Sequence, residues 1–196
     1  MGEAAPDTTP DRDPGATSRA LREELPRAGD EIVQAAGHRL RFVTTAADSA
    51  GRLLEMEVTY AGRTTFPPLH LHPAQEETFR VLSGRLRTVI DGVERVCAAG
   101  ETFTIPAGVP HTMRADADGA TTFSWAVRPA LRTELMFAEI WRDAAAGRGG
   151  DLLSSTALMR TYGAEFRLVR PPRWLQVPLF AVLGTVGWLL GRHARS

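Results

Sequence analysis

Between Glu31 and Val127, apolar and polar residues alternate in short runs that Gly, Pro or Asp-Gly interrupts about every eight to twelve residues. That texture belongs to an all-β core, because alternation places successive side chains on opposite faces of a strand. The strands it predicts are RLRFVTT from Arg39, RLLEMEVTY from Arg52, LHLH from Leu69, ETFRVL from Glu77 and RLRTVI from Arg85. VERVC from Val93, ETFTI from Glu101, HTMRA from His111 and TTFSWAV from Thr121 complete the set. Asp91-Gly92 and Asp118-Gly119 suit the positive φ angles of tight hairpin turns. Short strands without intervening helices close into a barrel or a two-sheet sandwich, not a parallel sheet.

A chain of 196 residues is one ordinary domain with extensions. Residues 1–30 are rich in Pro, Asp, Thr, Ala and Gly and read as a disordered segment, with one helical turn near SRALREEL. Residues 31–128 are the β-barrel and residues 129–165 a helical extension. Within the extension, LRTELMFAEIWRDAAAGR spaces Leu131, Leu135, Ile140 and Trp141 as an apolar stripe that Gly149 and Gly150 end. A second helix covers LLSSTALMRTY, with Asp151 as its N-cap.

Residues 166–196 form a basic-flanked hydrophobic C-terminal helix. Residues 174–191 are uncharged, and as a helix they reach about 27 Å, close to a hydrocarbon core of about 30 Å. Arg167, Arg170 and Arg173 precede them, Arg192 and Arg195 follow, and Trp174 and Trp188 lie near the two ends. Two readings stay open: membrane contact through residues 174–191, and docking on the barrel or self-association.

Twenty-three basic residues balance twenty-three acidic ones, so no net positive field collects nucleic acid. The single cysteine, Cys97, cannot close an internal disulfide and reads as a small buried hydrophobe. The start of the chain has no charged-then-apolar signal pattern, and a cytoplasmic location is expected, with membrane association through the C-terminal helix as its variant.

Chemistry concentrates in PPLHLHPAQEETFRVLSG, from Pro67 to Gly84, and GETFTIPAGVPH, from Gly100 to His111. His70 and His72 stand two apart, so a strand projects both imidazoles from one face. Glu77 shares a face with Phe79 and Val81, and if that face is inward a carboxylate joins the histidines. His111 follows the sharp PAGVP turn and offers a third nitrogen from across the barrel. Three neutral imidazoles and one carboxylate suit one divalent first-row transition metal ion: Fe, Mn, Ni, Cu or Zn. His38 and His193 receive no role.

These two stretches resemble the paired motifs of the cupin superfamily. The first motif, HxH followed by Glu and, seven positions later, Gly, is matched by His70, His72, Glu77 and Gly84. Glu76 stands at the alternative spacing, but only Glu77 keeps both the gap to Gly84 and the inward parity. Gly100, Pro106, Gly108 and His111 match the second motif. Two positions depart: Ala115 replaces a frequent Asn, and Thr64 a frequent Gly. The resemblance covers residues 38–128 and implies a cupin-like double-stranded β-helix barrel, the RmlC-like jelly roll, with His70, His72, Glu77 and His111 as metal ligands. It also suggests a homodimer.

By parity with the ligands, Phe79, Val81, Met113, Met56, Tyr60 and Trp125 line the pocket, a largely apolar set suited to a small organic ligand. Tyr60 is the one general base available among them. The leading expectation is a metal-dependent oxygenase acting on a small organic substrate. The alternative is a non-catalytic cupin that binds or senses a small molecule; a metal-independent isomerase would not need all four ligands.

Overall fold

The computed structural model describes residues 25–147 and 152–189. In chain order the strands are β1 (Glu31–Val33), β2 (Arg39–Thr44), β3 (Leu54–Tyr60), β4 (His70–Leu71), β5 (Glu76–Ser83), β6 (Arg85–Ile90), β7 (Val93–Ala98), β8 (Thr102–Ile105), β9 (His111–Ala115), β10 (Thr121–Arg128) and β11 (Arg167–Leu168). The helices are α1 (Ala46–Ser49), α2 (Thr133–Ala145), α3 (Leu152–Thr161) and α4 (Arg173–Leu189). The proposed disordered stretch lies mostly outside the described residues, as does the helical turn within it except for Leu25.

Two antiparallel sheets build the barrel. One runs β1-β2-β3-β10-β5-β8, the other β11-β4-β9-β6-β7. The alternation read from the sequence is what fills the space between them. Leu40 and Phe42 of β2 are buried between exposed Arg39, Arg41 and Val43, and Glu77, Phe79 and Val81 point inward from β5. Phe79 is opposite Phe103 on one side and Trp125 on the other, with ring centroids 5.2 and 5.3 Å apart. Such cross-strand aromatic pairs pin register as well as bury area. Cys97 is fully buried in the same core, and burial raises its thiol pKa.

The two Asp-Gly pairs behave differently. Asp91 and Gly92 both have positive φ, 48° and 78°, and turn β6 directly into β7 with Ile90 opposite Val93. Asp118-Gly119 closes no hairpin, because β9 and β10 belong to different sheets and the loop carries the chain between them. Gly84 makes another crossing between the sheets. Its φ is +74°, and a Cβ there would lie 2.5 Å from Thr121 Oγ1 and 2.7 Å from the Ala120 carbonyl, so only glycine fits.

Helix α2 lies along the inner face of the first sheet: Phe137 meets Trp125 edge-on at 4.5 Å, and Trp141 stacks on Tyr60 at 6.2 Å. Its buried residues are Thr133, Glu134, Met136, Ala138 and Trp141. Of the expected stripe, Trp141 is buried and Leu135 half-buried, but the other two members lie outside the packed face. Leu131 precedes the helix in a left-handed turn and is 39% exposed, and Ile140 is 36% exposed. The helix ends at Ala145, before Gly147 at φ +70°; Gly149, Gly150 and Asp151 lie outside the described residues.

The C-terminal segment is not one helix. Residues 167–168 form β11, which adds to the edge of the second sheet beside β4, and only then does α4 begin. Helix α4 packs chiefly on α3. Trp174, Val177 and Val182 are 73%, 62% and 62% exposed. Among the described residues no helix is long and apolar enough to cross a membrane.

Candidate metal centre

His70 opens β4, and His111 opens β9, directly opposite it in the same sheet. The expectation that His111 reaches in from across the barrel is thus reversed: Glu77, on β5 of the other sheet, is the ligand candidate that crosses the lumen. His72 lies just beyond β4, where the Gly108 N–H donates to its carbonyl at 2.8 Å and ties the two motif loops together.

One nitrogen from each of His70, His72 and His111 lies within 4.8 Å of the others. Glu77 is outside that mutual set and approaches from the His72 and His111 side, with Oε1 3.2 Å from His72 Nε2 and Oε2 2.9 Å from His111 Nε2. Two atoms bound at right angles to one ion at about 2.1 Å stand about 3.0 Å apart, so both separations fit shared coordination.

Hydrogen bonding fixes which atoms face inward. His70 Nδ1 is 2.8 Å from the Pro68 carbonyl, His111 Nδ1 2.9 Å from the Val109 carbonyl, and His72 Nδ1 2.6 Å from the Glu165 carbonyl. A carbonyl only accepts, so each Nδ1 carries a proton and Nε2 is the nitrogen each ring has left to offer the cluster. His72 Nε2 and Glu77 Oε2 are buried without a hydrogen-bond partner. Lone pairs converging in a dry site repel one another unless a cation lies between them.

Burial and the neighbouring His111 push the His70 pKa down to about 4, and burial likewise lowers His72. Burial alone would lower His111 as well, but the Glu77 carboxylate overrides it and the value is raised. For Glu77, burial favours the neutral form, yet the three histidines outweigh it and hold the carboxyl below its ordinary value. A carboxylate so held is a ready anionic ligand.

The other expected pocket residues divide. Trp125 is at the site: its indole N–H donates to Glu77 Oε1 at 3.0 Å. Met56, Phe79 and Val81 are at most 1% exposed and fill the lumen as core. Met113 packs partly buried against that core. Tyr60 does not reach the site. It pairs with Thr121, six residues along β10 from Val127, the partner of Glu77, which is about 20 Å of strand. Burial raises its phenol to about 12, so it is no general base here.

Several contributors carry no motif signal. Phe166 stacks on His70, and the Glu165 carbonyl orients His72. Gln75, fully buried, donates to the carbonyls of Pro129 and Ala130 and to Thr133 Oγ1, tying the strand that holds Glu77 to the start of α2. The two departures from the motifs meet in space: the Ala115 N–H donates to Thr64 Oγ1 at 3.0 Å and the Thr64 N–H to the Ala115 carbonyl at 3.2 Å.

Residues 56–127 match the family model described as the cupin domain. Over 96 residues the chain is 31% identical to quercetin 2,3-dioxygenase of Bacillus subtilis (strain 168), an alignment covering 47% of this chain and 28% of that enzyme. Among solved structures it is similar to an RmlC-like cupin from Shewanella frigidimarina NCIMB 400, with 17% identity, 54% of this chain and 87% of that one covered, and a TM-score of 0.44. It is also similar to KdgF from Halomonas sp., with 17% identity, coverage of 51% and 86%, and a TM-score of 0.42. Both motifs and the family-model match fall within the antiparallel barrel, and residues 56–127 of that barrel are a cupin domain.

Proposed function

We propose that His70, His72, Glu77 and His111 hold one divalent transition metal ion, and that the chain is a metal-dependent oxygenase for a small organic substrate. One observation carries the metal: three imidazoles, each anchored through Nδ1 to a backbone carbonyl, converge within 4.8 Å of one another beside a buried carboxylate, and His72 Nε2 and Glu77 Oε2 have no hydrogen-bond partner there. A bound first-row ion would supply Lewis acidity and, for Fe, Mn or Cu, redox access to dioxygen.

The chain's own residues do the rest. The Trp125 indole and the crossing from β5 hold Glu77 toward the cluster. Met56, Phe79 and Val81 keep water out beneath it. A ligand therefore sits at the mouth and not deep in the barrel.

The oxygenase reading draws on the likeness to quercetin 2,3-dioxygenase, which covers only 28% of that enzyme. Elemental analysis of purified protein, of His70→Ala and of Glu77→Ala should give about one metal per wild-type chain and much less in either variant. Wild-type protein without stoichiometric metal removes the reading. Oxygen uptake with a panel of small organic substrates then separates a catalyst from a binder.

The filled lumen favours one second reading, a cupin that binds a small ligand at its mouth without turnover. Saturable binding with no oxygen uptake would support it. For residues 174–191, the exposed Trp174, Val177 and Val182 support contact with a membrane surface, tested by vesicle partition of the full chain against a form ending at Arg170. A homodimer is tested by light scattering.

A further inference from the structure

Phe166 lies outside both motifs, yet its ring stacks on His70 with centroids 4.6 Å apart and planes at 24°, and meets His72 edge-on at 6.0 Å. One half-buried residue thus touches two of the three imidazoles at the rim of the barrel.

The segment that presents it is fastened on every side. Leu168 pairs with His70 and Arg167 with Leu71, and the Val169 N–H donates to the Leu69 carbonyl at 3.0 Å. The Glu165 carbonyl accepts from His72. Its buried carboxylate accepts from the Arg132 backbone N–H at 3.2 Å and from Arg132 Nε at 3.3 Å. The Arg132 guanidinium in turn lies over the Tyr162 ring at 5.1 Å. Gln176 of α4 donates to the carbonyls of Leu168 and Pro171. Residues 162–169 are therefore a strap bolted across one side of the metal centre, and Phe166 is its inward contact.

With the lumen below filled by Met56, Phe79 and Val81, the Phe166 ring covers the part of the cluster that His70 and His72 form. Resting on the metal reading above, we propose that Phe166 is the specificity-determining residue of the centre. Its ring admits small ligands and turns away bulky planar ones by occupying the space over His70 and beside His72.

The test uses full-length protein loaded with cobalt(II), whose visible spectrum reports ligand binding directly. Wild type, Phe166→Ala and Phe166→Leu are titrated with azide, a small ligand, and with 4-nitrocatechol, a bulky planar one. Phe166→Ala should bind 4-nitrocatechol about tenfold tighter while azide stays within about twofold, with Phe166→Leu between. An unchanged ratio of the two affinities in Phe166→Ala overturns the proposal. So does a parallel shift of both ligands, which would make the ring a support for His70 and not a selector. If Phe166→Ala fails to hold cobalt, the ratio in Phe166→Leu decides by the same criterion. Wild-type protein that takes up no cobalt overturns the metal reading itself, an outcome distinct from cobalt uptake without selectivity.

Discussion

Replacing Trp125 by Phe removes one hydrogen bond at the centre while keeping an aromatic ring in the core. The indole N–H donates to Glu77 Oε1 at 3.0 Å, and the Glu77 side chain is 1% exposed, so water does not replace the lost donor. A hydrogen bond to a buried charged group is worth about 1.5–3 kcal/mol. The smaller ring also loosens packing against Phe79 at 5.3 Å and Phe137 at 4.5 Å, adding about 0.5–1.5 kcal/mol. Metal-free Trp125→Phe should thus lose about 2–4 kcal/mol, or roughly 4–16 °C in Tm for a chain of this size. Metal affinity should fall about 10- to 100-fold, the usual effect of removing a partner that orients a ligand. Phe137→Leu supplies the control, because it gives up the ring contact and keeps the indole N–H; it should lower Tm by a few degrees and leave metal affinity unchanged. Thermal melts followed by circular dichroism, with chelator competition for affinity, measure both. If Trp125→Phe binds metal as tightly as wild type, or Phe137→Leu weakens it equally, the indole does not position Glu77.

Stripping metal with a chelator should lower Tm by about 5–11 °C in protein previously held at a hundred times its Kd, since binding there contributes about 2.7 kcal/mol; an unmoved melt would deny the linkage. Gly84→Ala should cost about 3 kcal/mol or more in denaturant unfolding, because the new Cβ meets Thr121 Oγ1 at 2.5 Å. Gly108→Ala, with φ +78° but open space around it, should cost only about 1–2 kcal/mol. In metal-free protein, His70 sits at about 4 when folded and 6.5 when unfolded, so the unfolded chain binds more protons between those values and stability falls as pH drops through that window. The raised His111 acts in the opposite direction, and comparison with His70→Ala isolates the His70 contribution: the wild-type pH slope should be steeper by up to about 1.4 kcal/mol per unit, whereas equal slopes would contradict it.

What could be read beforehand was what repeats or what a side chain announces. Alternation places β2, β3, β5 and β8, since each buries every second residue along most of its length. It could not place β11, whose two residues pair only because distant chain folds back on β4. The apolar stripe of α2 is only partly legible: Trp141 is buried as expected, but several stripes fit the sequence, and it is contact of Phe137 with Trp125 that brings Phe137, and not Ile140, onto the packed face. At the centre, HxH spacing put His70 and His72 on one face, and parity turned Glu77 inward. Parity also admitted Tyr60, because it fixes the face of a strand and not the height along it.

The three imidazoles differ in how they are oriented. The Pro68 carbonyl that holds His70 and the Val109 carbonyl that holds His111 each lie two residues upstream, so two rings are set by their own proline-bounded loops. His72 takes its acceptor from Glu165, ninety-three residues later in the chain. A barrel ending at residue 128 would retain all four ligand candidates and both motifs, yet leave His72 Nδ1 without that acceptor and free its ring to present either nitrogen. The motifs therefore specify the donor set, and the strap beyond them specifies the geometry of its third imidazole. For this chain the boundary of the working site lies near Val169 and not at the end of β10.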